Sequence, residues 1–357
     1  MNIYKADPHT HSVYSDASLT PEQRIKEAWY DGLDIFSMTD HVEYRRHEPT
    51  MLKFLKGYTG GEAKKAVNYN VIRKAATEEG IKADLNIPVQ LAQKAAKAYG
   101  DALLVIPACE ITREPKAIGH FNALFTTDNN KIYDPNLEQT IRNARAQGAF
   151  IIHNHPSYDK NTPNHITPFT NDLYAKGLID GVEVANHIRI WQYLITHCIA
   201  GGYTPCGNSD AHEYVSWKYG HPRDFEIPRY RNMTLILAKE CTEKAIREAL
   251  EKRRTIGYSA NNLIGEEVWL KEFINEAVDC KVVAVNEKKG HRGFQLTNTC
   301  SIPFILRRGK LVYVLNPFQS LHINISRDKN TGEFYKPEFT VDNMWTVGDK
   351  HPKIHIA

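Results

Sequence analysis

Helical segments alternate with short apolar segments through the first 260 residues, and this alternation constrains the fold more than any other feature. The first helix is predicted to begin at Thr20, with Pro21 in its first turn and Gln23 completing a capping box. The face of this helix predicted to be buried carries Ile25, Ala28 and Trp29. A helix followed by an apolar segment recurs in the stretches 136–156, 190–212 and 241–259. This alternation indicates an α/β architecture with parallel strands.

Two stretches depart from this pattern. Residues 44–100 are rich in Lys, Ala and Glu, and we interpret them as a helical insertion that caps one end of the molecule, with a framework helix at 89–99. From about residue 268 the chain consists of short β-rich segments with no good helix between them. We therefore predict a domain at 1–265 and a small all-β sandwich at 268–357.

Composition excludes several classes of protein. The net charge is +3 from 45 basic and 42 acidic residues, which gives no support for a long nucleic acid as partner. No run of 18 apolar residues is present, so no membrane span is expected. The six cysteines form no CxxC motif, and Cys109 is expected in the core. The first residues show no export signal, so the cytoplasm is the default expectation, although an exported form with its signal removed stays open.

Histidine is concentrated where polar clusters follow the predicted strands. Of 16 histidines, 12 lie at or before residue 221. Chance alone gives a chain of this composition roughly 0.7 HxH pairs, so one such pair would be weak evidence. Here several clusters of metal-binding residue types lie at strand ends, where a parallel α/β barrel gathers its functional groups. The clusters are Asp7-Pro-His9-Thr-His11 with Asp16, Thr39-Asp40-His41, Glu110 with His120, His153-Asn-His155, and Asp210-Ala-His212.

The order and wording of these clusters resemble the PHP family, the polymerase and histidinol phosphatase superfamily. The matching segments are ADPHTHSVYSDAS, TDH, the Glu of ACEIT, the His of IGHFNALF, NHP and NSDAH, within residues 1–260. The resemblance implies a distorted (β/α)7 barrel, up to three metal ions and hydrolysis of phosphate esters.

Carried over residue by residue, the resemblance implies three metal sites. The first would use His9, His11, Glu110 and Asp210, and the second would share Glu110 and add His120 and His155. The third would use Asp16, His41 and His212. His153 is an alternative to His155, but the histidine that precedes proline matches better.

Elementary electrostatics agrees with such a centre. Buried carboxylates cannot crowd together unless cations neutralise them. A ligand set of oxygen and nitrogen atoms without thiolate suits two or three divalent ions of Mn, Zn or Fe, and the choice among these stays open. A water held between two such ions is acidic enough to be hydroxide near pH 7. Asp7 and Glu183 are expected to contact the ligands without binding metal themselves, with Asp7 orienting His9 or His11. For Glu183, a buried carboxylate paired to a helix N-terminus is the equal alternative.

Substrate-binding residues are predicted from cations near these clusters. Arg113 follows Glu110, and Arg223 follows His221. Arginine suits bidentate contact with phosphate, so Arg113 and Arg223 are the candidates, and His221 is a candidate substrate contact or proton donor. Arg45 and Arg46, which follow His41, are weaker candidates of the same kind.

The leading hypothesis is a metal-dependent phosphoesterase in which a metal-bridging hydroxide attacks a small phosphomonoester or phosphodiester. Two alternatives remain at this stage. The chain could be a binding or adaptor protein that holds metal structurally, with an aromatic patch of Tyr313, Phe318, Tyr335 and Trp345 on its C-terminal domain. It could also be a metal-dependent hydrolase of a C–N or carboxyl-ester bond.

Overall fold

The computed structural model describes residues 1–43, 84–113, 119–156, 166–220, 229–327, 330–334, 337–348 and 350–356. The α-helices in these ranges are α1 (Pro21–Tyr30), α2 (Ile87–Ala96), α3 (Leu137–Ala146), α4 (Pro168–Ala175), α5 (Gln192–Ala200), α6 (Val215–Tyr219), α7 (Glu243–Glu251) and α8 (Glu267–Ala277). The strands of the N-terminal part are β1 (Asn2–Asp7), β2 (Ile35–Phe36), β3 (Leu104–Val105), β4 (Ala108–Thr112), β5 (His120–Leu124), β6 (Phe150–Asn154), β7 (Gly181–Asn186), β8 (Arg189–Ile190), β9 (Thr204–Asn208), β10 (Met233–Ala238), β11 (Thr255–Ser259) and β12 (Asn262–Gly265). The strands that follow are β13 (Val278–Asn286), β14 (His291–Asn298), β15 (Phe304–Arg308), β16 (Leu311–Leu315), β17 (Ser320–Ser326), β18 (Glu338–Val341), β19 (Met344–Trp345) and β20 (Lys353–His355).

The N-terminal part contains two mixed sheets. One has seven strands in the order β19-β12-β11-β10-β1-β2-β3, and the other has the order β4-β5-β6-β7-β8 with β9 paired to β7. The prediction of parallel strands is correct for β1/β2, β2/β3, β6/β7 and β7/β9. It is wrong for several neighbours, since β1 runs antiparallel to β10, and β5 runs antiparallel to both β4 and β6. The α/β class is confirmed, whereas a closed barrel stays a prediction.

The two sheets meet through short pairings near the polar clusters. Thr10 pairs with Ala211, and His41 pairs with Glu110, each as an isolated parallel bridge. The backbone N–H groups of His11 and Asp210 donate to the carbonyls of Ala211 and His9, respectively. These pairings bring the ends of β1, β2, β4 and β9 together, so residues far apart in sequence share one region.

The predicted helices form for the expected local reasons. Thr20 caps α1, and its side chain and that of Gln23 complete the capping box. Ile25 and Ala28 are fully buried, as predicted, whereas Trp29 is 46% exposed. Trp29 was therefore wrongly placed on the buried face; its ring stacks on Tyr99 at the surface, with centroids 4.9 Å apart.

The stretch 44–100 is described only from residue 84. Within it α2 packs against α1 and confirms the predicted framework helix, although α2 ends at Ala96 and a 3-10 helix continues over Lys97–Ala102. The predicted cap formed by residues 44–83 lies outside the described residues.

The C-terminal part is β-rich, as predicted, but a helix precedes it. The helix α8 occupies 267–277, which corrects the prediction of no good helix from about residue 268. Its buried face carries Leu270, Phe273 and Ile274. The strands that follow form a three-stranded sheet in the order β13-β14-β17 and a four-stranded sheet in the order β16-β15-β18-β20. The short strand β19 returns to pair with β12 of the seven-stranded sheet. The sandwich and the boundary near 265 stay predictions.

Apolar packing runs continuously across the predicted boundary. A single buried cluster contains Phe36 and Tyr258 from the seven-stranded sheet, Phe273 from α8, and Phe304 and Ile325 from the C-terminal sheets. None of the described helices has both the length and the apolar character that a membrane crossing needs.

We expect Phe304→Ala to lower the free energy of unfolding by about 3–5 kcal/mol, because it empties a fully buried site in the shared cluster. Since the cluster spans both parts, tryptophan fluorescence and far-UV circular dichroism should report one coincident urea transition. Phe318→Ala is the control, since Phe318 is 71% exposed and its loss should change stability by less than about 0.5 kcal/mol. A separate early transition of the C-terminal part in Phe304→Ala would show that the two parts unfold independently.

Candidate metal centre

The nine predicted ligands converge at the ends of the strands of both sheets. His9 and His11 follow β1, His155 follows β6, and Asp210 and His212 follow β9. Glu110 lies inside β4, and His120 begins β5. Most of these side chains are almost completely buried, and His212 is the most exposed, at 32%.

The first group of ligand atoms is compact. His9 Nε2 and His11 Nε2 lie 3.1 Å apart, and Asp210 Oδ1 lies 3.3 Å from the former and 3.2 Å from the latter. Glu110 borders this group with both oxygens, Oε1 at 3.5 Å from His9 Nε2 and Oε2 at 3.5 Å from His11 Nε2. Atoms bound to one ion at about 2.1 Å stand roughly 3.0–3.5 Å apart, so these spacings suit a single divalent cation.

A second group gathers around the other side of Glu110. Its Oε1 atom lies 3.4 Å from His120 Nδ1 and 3.7 Å from His155 Nε2. The same Oε1 atom is 3.5 Å from His9 Nε2, so the Glu110 carboxylate borders both groups. This position suits a carboxylate that bridges two ions.

A third group surrounds Asp16. Its Oδ1 atom lies 3.4 Å from His41 Nε2 and 3.1 Å from His212 Nε2. His11 stands next to this group, with its ring stacked between those of His41 and His212 at centroid distances of 4.4 and 4.3 Å. The ligand atoms of these four residues all lie within 4.8 Å of one another.

The electrostatics of the cluster fits cations. Burial alone would raise the pKa of Glu110, yet the imidazoles of His41 and His9 hold it well below its usual value. Burial likewise opposes ionisation of His41, but Glu110 and Asp16 raise its pKa to about 10. His120 Nε2 is buried with no hydrogen-bond partner among the described residues, and Asp16 Oδ1 faces the imidazole nitrogens of His41 and His212. Carboxylates held ionised beside unpartnered ligand atoms are what divalent ions would satisfy.

Glu183 is fully buried and links the first and second groups. Its Oε1 atom accepts from His9 Nδ1 and from Asn208 Nδ2, both at 2.7 Å. Its Oε2 atom accepts from the backbone N–H of His155 at 2.7 Å and from Asn186 Nδ2 at 2.9 Å. A carboxylate that accepts from Nδ1 of His9 leaves Nε2 free to bind a metal and fixes the direction of the ring. Of the two readings of Glu183, the structure therefore supports the orienting carboxylate.

The predicted role of Asp7 is wrong. Its carboxylate accepts from the backbone and side chain of Ser209 at 3.1 and 2.6 Å and pairs with Arg231 at 2.7 Å. The Asp7 carboxylate is thus engaged in a buried ion pair and not in orienting an imidazole. Asp7 therefore fixes the segment before Asp210 rather than an imidazole.

Of the three predicted substrate residues, the structure describes only Arg113. Arg113 forms an ion pair with Glu43 and donates to the carbonyl of Asp134 at 2.6 Å and to Thr140 Oγ1 at 3.0 Å. Its guanidinium is thus held by the protein itself, and its contact with phosphate stays a prediction. His221 and Arg223 lie outside the described residues, as do Arg45 and Arg46.

His153 and His155 separate as the sequence favoured. The His153 ring stacks on Phe121, and its Nδ1 lies 2.9 Å from the hydroxyl of Tyr174, whereas His155 lies with the ligands. Cys109 is in the core, as expected.

Sequence reasoning missed two residues at the centre. Asn154 donates to Glu110 Oε1 at 2.8 Å, and its place between two histidines at a strand end was the available signal. His187 Nε2 lies 3.5 Å from Asp210 Oδ2. It follows β7 directly, in the same kind of position as the ligands that were recognised.

We expect metal affinity to rise with pH. The raised pKa of His41, about 10 against 6.5, means that this ring is protonated near pH 7 without a metal and must lose its proton to bind one. Titration of the chelator-treated protein with Zn²⁺ or Mn²⁺ between about pH 6.5 and 8.5, in two buffers of different protonation enthalpy, should show stronger binding at higher pH and proton release. Release should be smaller in His41→Ala. Affinity independent of pH would contradict the proposed ligation by His41.

We expect Glu183→Gln to weaken metal binding about 10–100-fold, because the variant loses the charge that orients His9 and cannot accept from all four donors. Competition with a chromogenic chelator measures the affinity. Asp180→Asn is the matched control: Asp180 immediately precedes β7, at the end opposite Asn186, and its carboxylate accepts from the backbone of Ile151 at 2.8 Å. Equal affinity of Glu183→Gln and the unmodified protein would contradict this role.

Comparison with known proteins finds a solved structure that is similar over the full length of the chain. Neither a family model nor a curated protein sequence matches the chain. Among solved structures, the chain is similar to a two-domain protein from Bacteroides vulgatus that contains a predicted PHP-like metal-dependent phosphoesterase. The two are 29% identical with a TM-score of 0.82, over 99% of this chain and 95% of the other.

Two further solved structures are only distantly similar to the chain. A lesion-specific endonuclease from Pyrococcus furiosus is 18% identical with a TM-score of 0.42, over 70% of this chain and 56% of the other. A candidate metal-dependent phosphoesterase from Bifidobacterium adolescentis is 14% identical with a TM-score of 0.40, over 69% of this chain and 96% of the other. The full-length similarity to the Bacteroides protein confirms the resemblance of this chain to PHP-like metal-dependent phosphoesterases.

Proposed function

We propose that the protein hydrolyses a phosphoester of a small molecule at a centre of up to three divalent ions. The observation that carries the proposal is the convergence of all nine predicted ligands into three adjoining groups. A structural metal site needs one closed ligand set, whereas adjoining groups that share a carboxylate are typical of hydrolytic centres.

Each ligand residue has a defined part in this proposal. His9, His11 and Asp210 hold the first position, His120 and His155 the second, and Glu110 contributes an oxygen to each. The third position uses the residues around Asp16, namely His41 and His212. Divalent ions bound at these positions supply an acidified water and neutralise charge that develops on phosphate oxygens.

The protein positions these groups before substrate arrives. Glu183 fixes the His9 ring, and Asn154 fixes the Glu110 carboxylate through its Oε1 atom. Fixed dipoles and charges stabilise a transition state without reorganising during the reaction. The rigid outer layer is therefore part of the proposed catalytic design.

Substrate would approach from one side of the centre. His9 and His11 are 0% exposed, whereas His212 is 32% and His187 21% exposed. The open face therefore lies on the side of His212 and His187. Any phosphate bound there would face the second and third groups, with Arg113, Arg223 and His221 as the predicted substrate residues. A monoester and a diester are both compatible with this geometry, and the near-neutral net charge favours a small substrate over a long nucleic acid.

The adaptor alternative receives little support from the described residues. Two of the four aromatic residues in its predicted patch have contacts within the protein, since Tyr313 packs edge to face on the buried Phe339 and Trp345 donates to Asn262 Oδ1 at 2.9 Å. Phe318 is exposed, and Tyr335 lies outside the described residues.

We expect the protein reconstituted with Mn²⁺ or Zn²⁺ to hydrolyse p-nitrophenyl phosphate, bis-p-nitrophenyl phosphate or a member of a wider phosphoester panel. Glu110→Gln should lower kcat/KM by roughly 10³-fold, since the lost bridging charge contributes several kcal/mol to transition-state stabilisation. Release of p-nitrophenolate and metal content are the two measurements.

Glu248→Gln is the control, because Glu248 is a surface carboxylate on α7 that pairs with Lys252 at 2.8 Å. Full activity of Glu110→Gln would refute the bridging role. A metal-loaded protein that hydrolyses no phosphoester, but does hydrolyse an amide or carboxyl ester, would refute the proposed reaction.

A further inference from the structure

His187 occupies an unusual place beside the proposed centre. It begins the two-residue turn of the β7–β8 hairpin, in which Asn186 pairs with Arg189. Its backbone φ is +54°, a conformation that non-glycine residues seldom adopt. A histidine held in this conformation at the tip of a short hairpin needs a reason, and strained residues of this kind cluster at functional sites.

The same backbone feature marks two of the proposed metal ligands. His155, with φ +26°, and Asp210, with φ +51°, also lie in the positive-φ region. Both ligands lie just after a strand, and their side chains lie at the centre. His187 ends β7 in the same way and also faces Asp210.

The imidazole of His187 has the spacing of a ligand. Its Nε2 atom lies 3.5 Å from Asp210 Oδ2, the oxygen that is also 3.8 Å from His155 Nε2. The other oxygen of Asp210 faces His9 and His11. Distances between proposed ligand atoms elsewhere in the centre cover the same range, for example 3.1 Å for His212 and Asp16 and 3.7 Å for His155 and Glu110.

The turn is tied to the outer layer of the centre. The Tyr219 hydroxyl donates to the carbonyl of His187 at 2.8 Å. The preceding residue, Asn186, donates to Glu183, which also orients His9. His187 Nδ1 is buried and has no hydrogen-bond partner among the described residues. A surface histidine would need none of these anchors.

We propose that His187 is a tenth metal-centre residue, which binds an ion together with Asp210 Oδ2 at the open face. This inference rests on the proposed metal centre. It assigns the side chain of the β7–β8 turn a ligand role that the nine-residue set leaves out. Tyr219 is then a positioning residue, because its hydroxyl holds the His187 backbone and does not reach the ion itself.

The test uses His187→Gly and His187→Asn, because both residues accept positive φ and preserve the turn. Binding of Zn²⁺ and Co²⁺ is measured by chelator competition, and the Co²⁺ absorption spectrum reports the number and type of ligands. We expect one ion to bind at least about 10-fold more weakly in both variants, with a changed Co²⁺ spectrum. Added imidazole should restore both properties in His187→Gly, because the site is partly exposed.

His322→Ala is the matched control, since His322 lies on the C-terminal sheet and contacts Gln295 instead of the centre. Tyr219→Phe should weaken the same ion by a smaller factor. If the unmodified protein binds metal and both His187 variants bind it equally tightly with unchanged spectra, the inference fails while the proposed function stands. If the unmodified protein binds no divalent ion, the proposed function itself fails.

Discussion

The rest of the structure depends on one interaction, the mutual neutralisation of carboxylates and imidazoles in a buried site. Glu110 and Asp210 are buried, and the Asp16 side chain is only 15% exposed. All three carboxylates lie within a few ångströms of the same set of imidazoles. Such a cluster is too costly to bury unless positive charge compensates it. Protonated imidazoles can supply that charge without metal, which is why the pKa of His41 is raised, but divalent ions supply it more completely.

Two buried arginines that are not predicted ligands hold the segments on which this cluster lies. Arg24 is completely buried and donates to the carbonyls of His11 and Ala211, both at 2.8 Å, so one side chain joins the segment after β1 to the segment after β9. Arg231 pairs with Asp7 and donates to Ser209 Oγ, so it joins the end of β1 to the segment after β9. These buried guanidiniums hold the segments that follow β1 and β9, outside the regular sheet pairing. They explain how residues in loops attain the precise positions that metal ligation requires.

The C-terminal strands contribute to the same rigidity from a distance. They share one apolar cluster with β2, β10 and β11 of the seven-stranded sheet, through α8 and residues such as Phe273 and Phe304. Since interiors pack at high density and transmit strain, this shared core limits how far β1 and β2 can move. The C-terminal part thus supports the scaffold of the centre, whatever further role it has.

The sequence by itself determined which metal-binding residue types are present and how several local elements form. The capping box at Thr20, the α/β alternation and the choice of His155 over His153 depend on residue type and near neighbours, which a sequence displays directly. Strand direction, the outer contacts of Asp7 and the exposure of Trp29 were decided only by tertiary packing, because each depends on which distant segment lies alongside. His187 shows the same limit, because the sequence does not display that its imidazole lies 3.5 Å from Asp210, which follows β9.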